Sequence, residues 1–213
     1  MKPICSPEDM YADIKEAGII PFFRNKLQGF SIEELTPREH WFDSSDELGP
    51  WDWKIYSVQS GDIAYGKFLW GGKAAFATVA FYRELANWRR SLKAYRPSPE
   101  GEKVLEFIRG NGSCSTGDVR RLLGLKKNAA DALLTRLEAQ TKIVIGDFER
   151  VYRGEDLHYS GWQRAAFCTP EDLFGEDALR TSRSPEESFN FLSERIRSLV
   201  PSASAKDLAK LLG

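Results

Sequence analysis

The chain has 213 residues, of which 42% are hydrophobic and 29% charged, and its formal net charge at pH 7 is −1. This composition is typical of a folded globular protein, and it excludes both a wholly disordered chain and a polybasic, histone-like protein. No run approaches the roughly 18 apolar residues of a transmembrane helix, and charges stand where a signal peptide has its apolar core. The three cysteines are scattered along the chain, as is typical of free thiols in a reducing compartment. We therefore predict a cytoplasmic protein without membrane association.

The N-terminal part, residues 1–96, is rich in aromatic side chains and holds five of the six tryptophans. Capping residues followed by proline open two helices here, and a Gly-Gly pair between two apolar runs predicts a β-hairpin. The predicted elements are a helix over 6–18, a short helix over 36–42, a loop over 43–50, an extended segment at 51–53, strands 63–70 and 73–79, and a helix over 81–93. The last helix is predicted to be amphipathic, with a solvent face formed by Arg83, Arg89, Arg90 and Lys93.

The middle part, residues 97–158, carries the clearest helix start and stop signals. Three helices are predicted over 98–110, 115–124 and 126–140, followed by short strands 142–148 and 149–152 around a turn at Gly146-Asp147. Three helices with a tight second turn and a terminal β-ribbon are typical of a winged helix-turn-helix unit. Residues 159–213 contain three further helices that begin near Thr169, Ser184 and Ser204.

These elements predict an α+β fold. One winged helix-turn-helix unit, residues 97–158, is expected to pack with the aromatic-rich N-terminal part, residues 1–96, and its β-hairpin. The C-terminal helical part, residues 159–213, is expected to pack on the N-terminal part, so that the winged helix is inserted in a larger domain.

The third helix of a winged helix usually enters the major groove of DNA with its N-terminal residues near the base edges. Here those residues are Lys126, Lys127 and Asn128. Phosphate contacts are expected from the second helix and the wing, through Arg120, Arg121, Arg150 and Arg153. The same face of the third helix is predicted to continue with Asp131, Thr135 and Glu138, and its two carboxylates would be repelled by phosphates. The alternative is therefore a winged helix that only packs or contacts protein, which predicts that Lys126 and Lys127 are covered.

Signals of catalysis are absent from the sequence. It contains no glycine-rich phosphate loop, no nucleophile elbow and no zinc-binding spacing, so no catalytic residue, cofactor or metal is predicted. The tryptophans allow two interpretations, a core cluster or a pocket that stacks a base or small ligand. The pocket residues would be Trp51, Trp53, Trp70 and Trp88. In that case the chain would be an enzyme that accepts a base flipped out of DNA, and an open pocket with a carboxylate or amide is expected there.

Several motifs resemble those of a known family. They are Gly-Pro-Trp-Asp-Trp-Lys (49–54), Tyr-Gly-Lys-Phe (65–68), Phe-Tyr-Arg-Glu-Leu-Ala-Asn-Trp-Arg-Arg (81–90), Thr-Arg-Leu-Glu-Ala-Gln-Thr (135–141), Thr-Pro-Glu-Asp-Leu-Phe-Gly (169–175) and Ser-Pro-Glu-Glu-Ser (184–188). Together they are similar to a bacterial family of uncharacterised winged-helix proteins labelled AlkZ-related. The resemblance covers most of the chain.

The resemblance implies a distant relation to AlkZ, a longer winged-helix DNA glycosylase that excises alkylated bases with a Gln-x-Gln or Gln-x-Asp motif. The glutamines of this chain are Gln28, Gln59, Gln140 and Gln163, and none has Gln or Asp two residues later. We therefore expect a DNA-binding, DNA-repair-associated protein without catalysis of its own. Double-stranded DNA or another protein is the expected partner, and a divergent glycosylase is the alternative.

Overall fold

The computed structural model describes residues 2–41, 49–70, 72–155 and 158–213. Its helices in these ranges are α1 (Pro7–Ala17), α2 (Ile32–Leu35), α3 (Pro50–Gln59), α4 (Val79–Ser91), α5 (Pro99–Asn111), α6 (Thr116–Leu123), α7 (Lys127–Ala139), α8 (Pro170–Phe174), α9 (Pro185–Leu199) and α10 (Ala205–Leu212). Its strands are β1 (Ile19–Pro21), β2 (Ile63–Leu69), β3 (Lys73–Thr78), β4 (Val144–Arg153) and β5 (His158–Cys168). The mixed α+β prediction is confirmed, and no helix in the described ranges is long and apolar enough to cross a bilayer.

Two antiparallel sheets organise the fold. The first has the strand order β1-β3-β2, with Phe76 of β3 opposite both Ile20 and Tyr65. The predicted β2–β3 hairpin is confirmed, but its strands end at the Leu69–Lys73 pair, so the connection spans residues 70–72. Both Trp70 and Gly72 have positive φ, as longer hairpin loops require.

The predicted extended segment at 51–53 is wrong, because these residues form the first turn of α3. Pro50 occupies the start of this helix, where its missing N–H costs no hydrogen bond. The short helix predicted over 36–42 is only a 3-10 turn, Arg38–Trp41, and a helix capped by Ser31 precedes it. The rest of that prediction and most of the loop predicted over 43–50 lie outside the described residues.

The predicted helices of the middle part are confirmed to within one or two residues at each end. Ser115 and Asp118 form a capping box at the start of α6, and Gly124 ends this helix in the left-handed conformation. The predicted turn at Gly146-Asp147 is wrong, because β4 runs through it as one strand that pairs with β5. Gly146 lies at a bulge there, and a Cβ on it would come within 2.5 Å of the Cys168 sulfur.

The ribbon formed by β4 and β5 has a further short partner. Cys114, in the segment between α5 and α6, forms an antiparallel bridge with Phe167 of β5. The backbone N–H of each residue donates to the carbonyl of the other at 2.8 Å. The segment that enters α6 is therefore fixed to the ribbon by two backbone hydrogen bonds.

Arg89 of α4 is buried, with 2% of its surface exposed, so its predicted place on the solvent face is wrong. It lies one turn after buried Leu85, on the same side of the helix. Its guanidinium donates to four backbone carbonyls, those of Phe68, Ala139, Leu211 and Leu212. These oxygens belong to β2 and to the C-terminal ends of α7 and α10, where the helix dipole favours a cation. Burial lowers the pKa of Arg89 to about 10, so the side chain is charged at neutral pH.

A second buried polar cluster holds α9 against α4. The fully buried carboxylate of Glu84 accepts hydrogen bonds from Ser188 at 2.6 Å, from Thr181 at 3.0 Å and from Arg183 at 2.9 Å. Because every one of these donors lies in the C-terminal part, Glu84 fixes that part to the N-terminal part.

Helix α7 packs on β2 through an unusual carboxylate. Glu138 is 1% exposed, and its Oε1 accepts the backbone N–H of Lys67 at 3.0 Å. Gly66 lies directly beneath, since a Cβ at that position would be 3.0 Å from the same oxygen. Burial raises the pKa of Glu138 to about 7, and the Lys67 N–H only partly offsets this effect. The seam between α7 and β2 therefore contains an acid that changes charge near neutral pH.

Replacing Arg89 with Met should destabilise the fold strongly, because it removes a buried cation and leaves four carbonyls without their donor. We expect a loss of about 3 kcal/mol or more in the free energy of unfolding, measured by urea denaturation. Exposed Arg136 is the matched control, and Arg136→Met should change the same quantity by less than about 0.5 kcal/mol. Equal effects of the two substitutions would contradict the assigned role of Arg89.

The Glu138 carboxyl predicts that stability depends on pH. Its ordinary pKa is 4.5, so between pH 4.5 and 7 the unfolded chain releases this proton while the folded protein keeps it. The free energy of unfolding should therefore fall by about 3 kcal/mol over this range relative to Glu138→Gln. Urea denaturation at pH 5, 6, 7 and 8 measures the difference. The exposed Glu106→Gln control should follow the wild type, and parallel curves for wild type and Glu138→Gln would refute the assignment.

Candidate functional site

The corner between α6 and α7 presents a group of exposed polar side chains. All five predicted residues at this corner are exposed, namely Arg120, Arg121, Lys126, Lys127 and Asn128. Lys126 is the residue just before α7, and no side chain among the described residues caps that end of the helix. The N-terminal turn of α7 is consequently open to solvent, and Lys126 and Lys127 are not covered by the described parts of the chain.

The charges at this corner are mostly unneutralised. Arg121 forms an ion pair with Asp118 in the previous turn of α6. No carboxylate oxygen of the described residues lies within 4 Å of the Lys126, Lys127 or Arg120 side-chain nitrogens. Cations of this kind, held at the surface without a carboxylate partner, are available to an anionic ligand.

The face of α7 beyond its first turns differs from the prediction. Glu138 was expected to face outward, but it is buried against β2 because the β2–β3 hairpin covers this half of the helix. At the border of the covered region the Lys67 ammonium donates to Thr135 Oγ1 at 3.3 Å. Gly72 of the hairpin loop lies under Thr135, with a Cβ position 2.9 Å from the threonine methyl group. Asp131 and Glu138 are the two carboxylates predicted to repel phosphates, and of these Asp131 alone is partly exposed. The Lys67 ammonium adds a positive charge to the same face of α7.

The ribbon holds the other two arginines predicted to contact phosphates, Arg150 and Arg153. The Arg150 guanidinium lies 3.6 Å from the Asp52 carboxylate and over the Tyr159 ring, although the side chain is half exposed. The side chain of Arg153 is outside the described part of the structure. Arg150 is therefore directed towards α3 and the N-terminal part.

A second polar group lies where α3 meets the ribbon. The buried Asp52 Oδ1 accepts hydrogen bonds from the Tyr159 hydroxyl at 2.8 Å and from Gln163 Nε2 at 3.2 Å. Gln163 Nε2 also donates to the Trp51 carbonyl at 3.0 Å. Burial, together with the neighbouring Asp52 carboxylate, raises the pKa of Tyr159. This group was not predicted, because its members are more than 100 residues apart and no local pattern connects them.

Lys54 of α3 lies beside this group and is 8% exposed. Its ammonium is over two aromatic rings, 5.2 Å from the centroid of Trp51 and 4.9 Å from that of Phe148. No carboxylate oxygen of the described residues lies within 4 Å of it. Burial lowers the pKa of Lys54 to about 8, although the Asp52 carboxylate acts in the opposite direction. Lys54 was not predicted either, since its segment was expected to be extended.

The four tryptophans proposed as a pocket lie in separate environments. Trp51 is 39% exposed, whereas Trp53, two residues later on the helix, is 7% exposed and belongs to the core. Trp70 is in the hairpin loop, and the Trp88 indole N–H donates to the Gly213 carbonyl at 3.0 Å. Of these four tryptophans, Trp51 alone is among the residues that line the cavity beside α2.

A cavity of about 530 Å³ lies between α2, the Arg38–Trp41 turn and α3. Its lining residues are Phe23, Arg24, Glu33, Glu34, Thr36, Arg38, Trp41 and Trp51. The rings of Trp41 and Trp51 meet edge to face with centroids 5.8 Å apart. Aromatic walls with two carboxyl groups and two guanidinium groups suit a flat polar ligand. The two acids of this wall were not predicted, although Ser31 indicates the start of α2 in the sequence, since its hydroxyl caps the helix and accepts the Glu34 N–H.

No group of three or more His, Cys, Asp or Glu side chains in the described ranges is arranged to hold a metal ion.

No curated protein and no solved structure matches the chain. One family model, described as AlkZ related, matches residues 4–213. The resemblance seen in the sequence motifs is thereby confirmed, and the chain belongs to the AlkZ-related family.

Proposed function

We propose that this protein binds double-stranded DNA through a winged helix-turn-helix unit made of α5, α6, α7, β4 and β5. The order of these elements, the tight connection at Gly124 and the antiparallel ribbon support this interpretation. The bridge between Cys114 and Phe167 supports it further, because a short strand between the first two helices completes the small sheet of such units.

The observation that carries the proposal is the open N-terminal turn of α7 with Lys126, Lys127 and Asn128 exposed. In the major groove a lysine suits the acceptors of guanine, and an asparagine suits adenine N6 and N7. Arg120 and Arg121 are the expected phosphate contacts, and Lys67 adds a cation from the hairpin. Arg150 and Arg153 are retained only as secondary contacts on the ribbon.

Membership in the AlkZ-related family supports a role connected with DNA repair in a bacterial cytoplasm. Free thiols at Cys5, Cys114 and Cys168 agree with that setting. The Gln-x-Gln or Gln-x-Asp motif of the glycosylase is absent from the sequence. The proposal therefore assigns DNA binding to this chain, with the removal of bases as a second candidate.

That second candidate is a divergent glycosylase, and the cavity at Trp41 and Trp51 favours it. A flipped base can stack on exposed indole surface, and Glu33 and Glu34 provide the carboxylates expected in such a pocket. The cavity volume of about 530 Å³ is large enough for one nucleoside.

Charge reversal at both lysines tests the DNA-binding function. We expect Lys126→Glu with Lys127→Glu to weaken duplex binding by about 10-fold or more, and to reduce the slope of log K against log salt by about 2. Fluorescence anisotropy from low to moderate salt measures both quantities. Lys206→Glu with Lys210→Glu on α10 is the matched control, because it changes the net charge equally on exposed residues of another helix. If the two double variants weaken binding equally, α7 is not the binding element.

Base release tests the second candidate. Wild-type protein incubated with a duplex that contains an alkylated base should liberate the free base, measured by chromatography. Trp51→Ala should reduce the rate by about 10-fold or more if the indole stacks the flipped base. Trp162→Ala, a change to an exposed tryptophan of the ribbon, is the control. Absence of free base with wild-type protein that binds the duplex would exclude this activity.

A further inference from the structure

A second cavity, of about 350 Å³, lies where α4, α5 and the start of α8 meet. It shares no lining residue with the cavity beside Trp51. Three basic side chains line it, and each comes from a different part of the fold: Arg90 from α4, Arg109 from α5, and Lys142 from the segment between α7 and β4. Like charges in one cavity repel each other, so their convergence is unfavourable unless an anion joins them.

The acids of this cavity leave two of the cations unpaired. No carboxylate oxygen of the described residues lies within 4 Å of the Arg109 or Lys142 side-chain nitrogens. The three carboxylates among the lining residues have other partners, namely Glu171 with Arg90 at 2.6 Å, Asp172 with the Thr169 hydroxyl, and Glu176 with Arg180 at 3.5 Å. Arg109 is exposed and Lys142 is partly exposed, so a ligand can reach both from solvent.

The backbone that carries Lys142 is strained. Thr141, the residue before it, has φ 55°, in the left-handed region that a β-branched side chain disfavours. This turn ends α7, since the Thr141 N–H donates to the Glu138 carbonyl at 2.9 Å and the Lys142 N–H donates to the Leu137 carbonyl at 3.0 Å. The Thr141 carbonyl accepts from the Arg90 guanidinium. The chain thus maintains a strained turn between Arg90 and Lys142, and strain of this kind is typical of ligand sites.

The three cations also act on one another. Burial lowers the pKa of Lys142, and the positive charges of Arg90 and Arg109 lower it further, while Glu171 and Glu102 act in the opposite direction. Both guanidinium groups are therefore close enough to Lys142 to repel its ammonium. An anion bound among them would replace this repulsion with attraction.

The chemistry of the cavity matches a phosphate monoester that carries hydroxyl groups. Such a phosphate has a charge of about −1.5 to −2 at neutral pH, and guanidinium groups bind its oxygens in pairs. At about 30 Å³ for each water-sized atom, the cavity has room for about a dozen atoms, more than the five of phosphate itself. The carboxylates of Asp172 and Glu176 are acceptors for the hydroxyl groups of the remainder.

We propose that this cavity binds a small sugar phosphate, with its phosphate group held by Arg109 and Lys142 beside Arg90. The site is at the C-terminal end of α7, whereas Lys126 is at the N-terminal end. A helix of 13 residues spans about 20 Å, so the two surfaces are distinct, and sugar phosphate binding does not depend on DNA binding.

Calorimetric titration of the full chain at constant ionic strength tests the proposal. The probes are ribose 5-phosphate, glycerol 3-phosphate and inorganic phosphate. We expect both esters to bind about 10-fold or more tightly than inorganic phosphate, because their hydroxyl groups add hydrogen bonds. Arg109→Met with Lys142→Met should weaken binding of the esters by about 10-fold or more. Arg109→Lys with Lys142→Arg keeps both charges and should remain within about 5-fold of the wild type.

The matched control is Lys103→Met with Arg136→Met. It also removes one lysine and one arginine, at exposed positions of α5 and α7 that do not line the cavity. This control should bind the esters as the wild type does. Circular dichroism of each double variant verifies that lost binding is not a lost fold.

Three results would overturn the proposal. The first is a wild-type protein that binds neither ester, or binds them no more tightly than inorganic phosphate. The second is an equal loss of ester binding in Arg109→Met with Lys142→Met and in the control. The third is a 5′-phosphorylated oligonucleotide that binds through Arg109 and Lys142 more tightly than both esters, which would assign the cavity to DNA ends.

Duplex binding, measured by anisotropy on the same variants, separates this site from the proposed function. Arg109→Met with Lys142→Met should bind an undamaged duplex as the wild type does. If the wild type binds the esters but no duplex, the DNA-binding function fails and the sugar phosphate site stands. If this double variant loses duplex affinity as well, its two cations contact the DNA backbone, and the sugar phosphate is the wrong ligand.

Discussion

The packing of α7 and α10 on the β2–β3 hairpin depends on the buried guanidinium of Arg89. Its five N–H groups point in fixed directions within a plane, and it uses them to reach carbonyls of β2, α7 and α10 at the same time. A carboxylate could not replace it, because a carboxylate only accepts hydrogen bonds and the groups that meet here are carbonyl acceptors. The negative ends of the α7 and α10 helix dipoles stabilise the buried positive charge of Arg89, as a carboxylate would do elsewhere. A lysine at this position could not replace these bonds, since it lacks the planar fork.

With Arg89 in place, the hairpin formed by β2 and β3 closes on one side of α7. The contact buries Glu138 and brings the Lys67 ammonium to Thr135, while the N-terminal turns of α7 stay open. An anionic partner that approaches this helix would meet residues from two distant parts of the chain. The exposed surface around α7 is therefore composite, and its shape is determined by packing inside the protein as much as by the helix itself.

Local signals predicted a large part of this fold and little of its chemistry. The capping residues Ser6, Ser115, Ser184 and Ser204 each begin a helix as expected, because a cap acts on the backbone N–H groups two or three residues away. The prediction at residues 51–53 is wrong because alternating large aromatics favour an extended segment, whereas Pro50 starts a helix. Arg89, Glu138 and Lys54 were missed for another reason. A charged side chain is read as exposed from sequence, and only tertiary partners, such as the carbonyls around Arg89, decide otherwise.

Only part of the candidate site, too, could be predicted from the sequence. Exposure of Lys126 and Lys127 follows from their place at the start of a helix, which sequence reveals. The cavity beside Trp51 and the cluster around Asp52 join residues from α2, α3 and the ribbon, and these come together only in the folded chain. Nothing in the spacing of their residues along the sequence indicates this.

Gly66 and Gly72, the two glycines of the hairpin that face α7, restrict which substitutions this part of the sequence can accept. Gly66 leaves room for the Glu138 carboxylate, and Gly72 leaves room for the Thr135 methyl group, each with about 3 Å between a Cβ position and the helix side chain. A side chain gained on the hairpin would require a smaller residue on the helix. Among related chains, positions 66 and 138 should therefore vary together, as should positions 72 and 135. Paired substitutions of this kind would keep the distance between the hairpin and the helix constant.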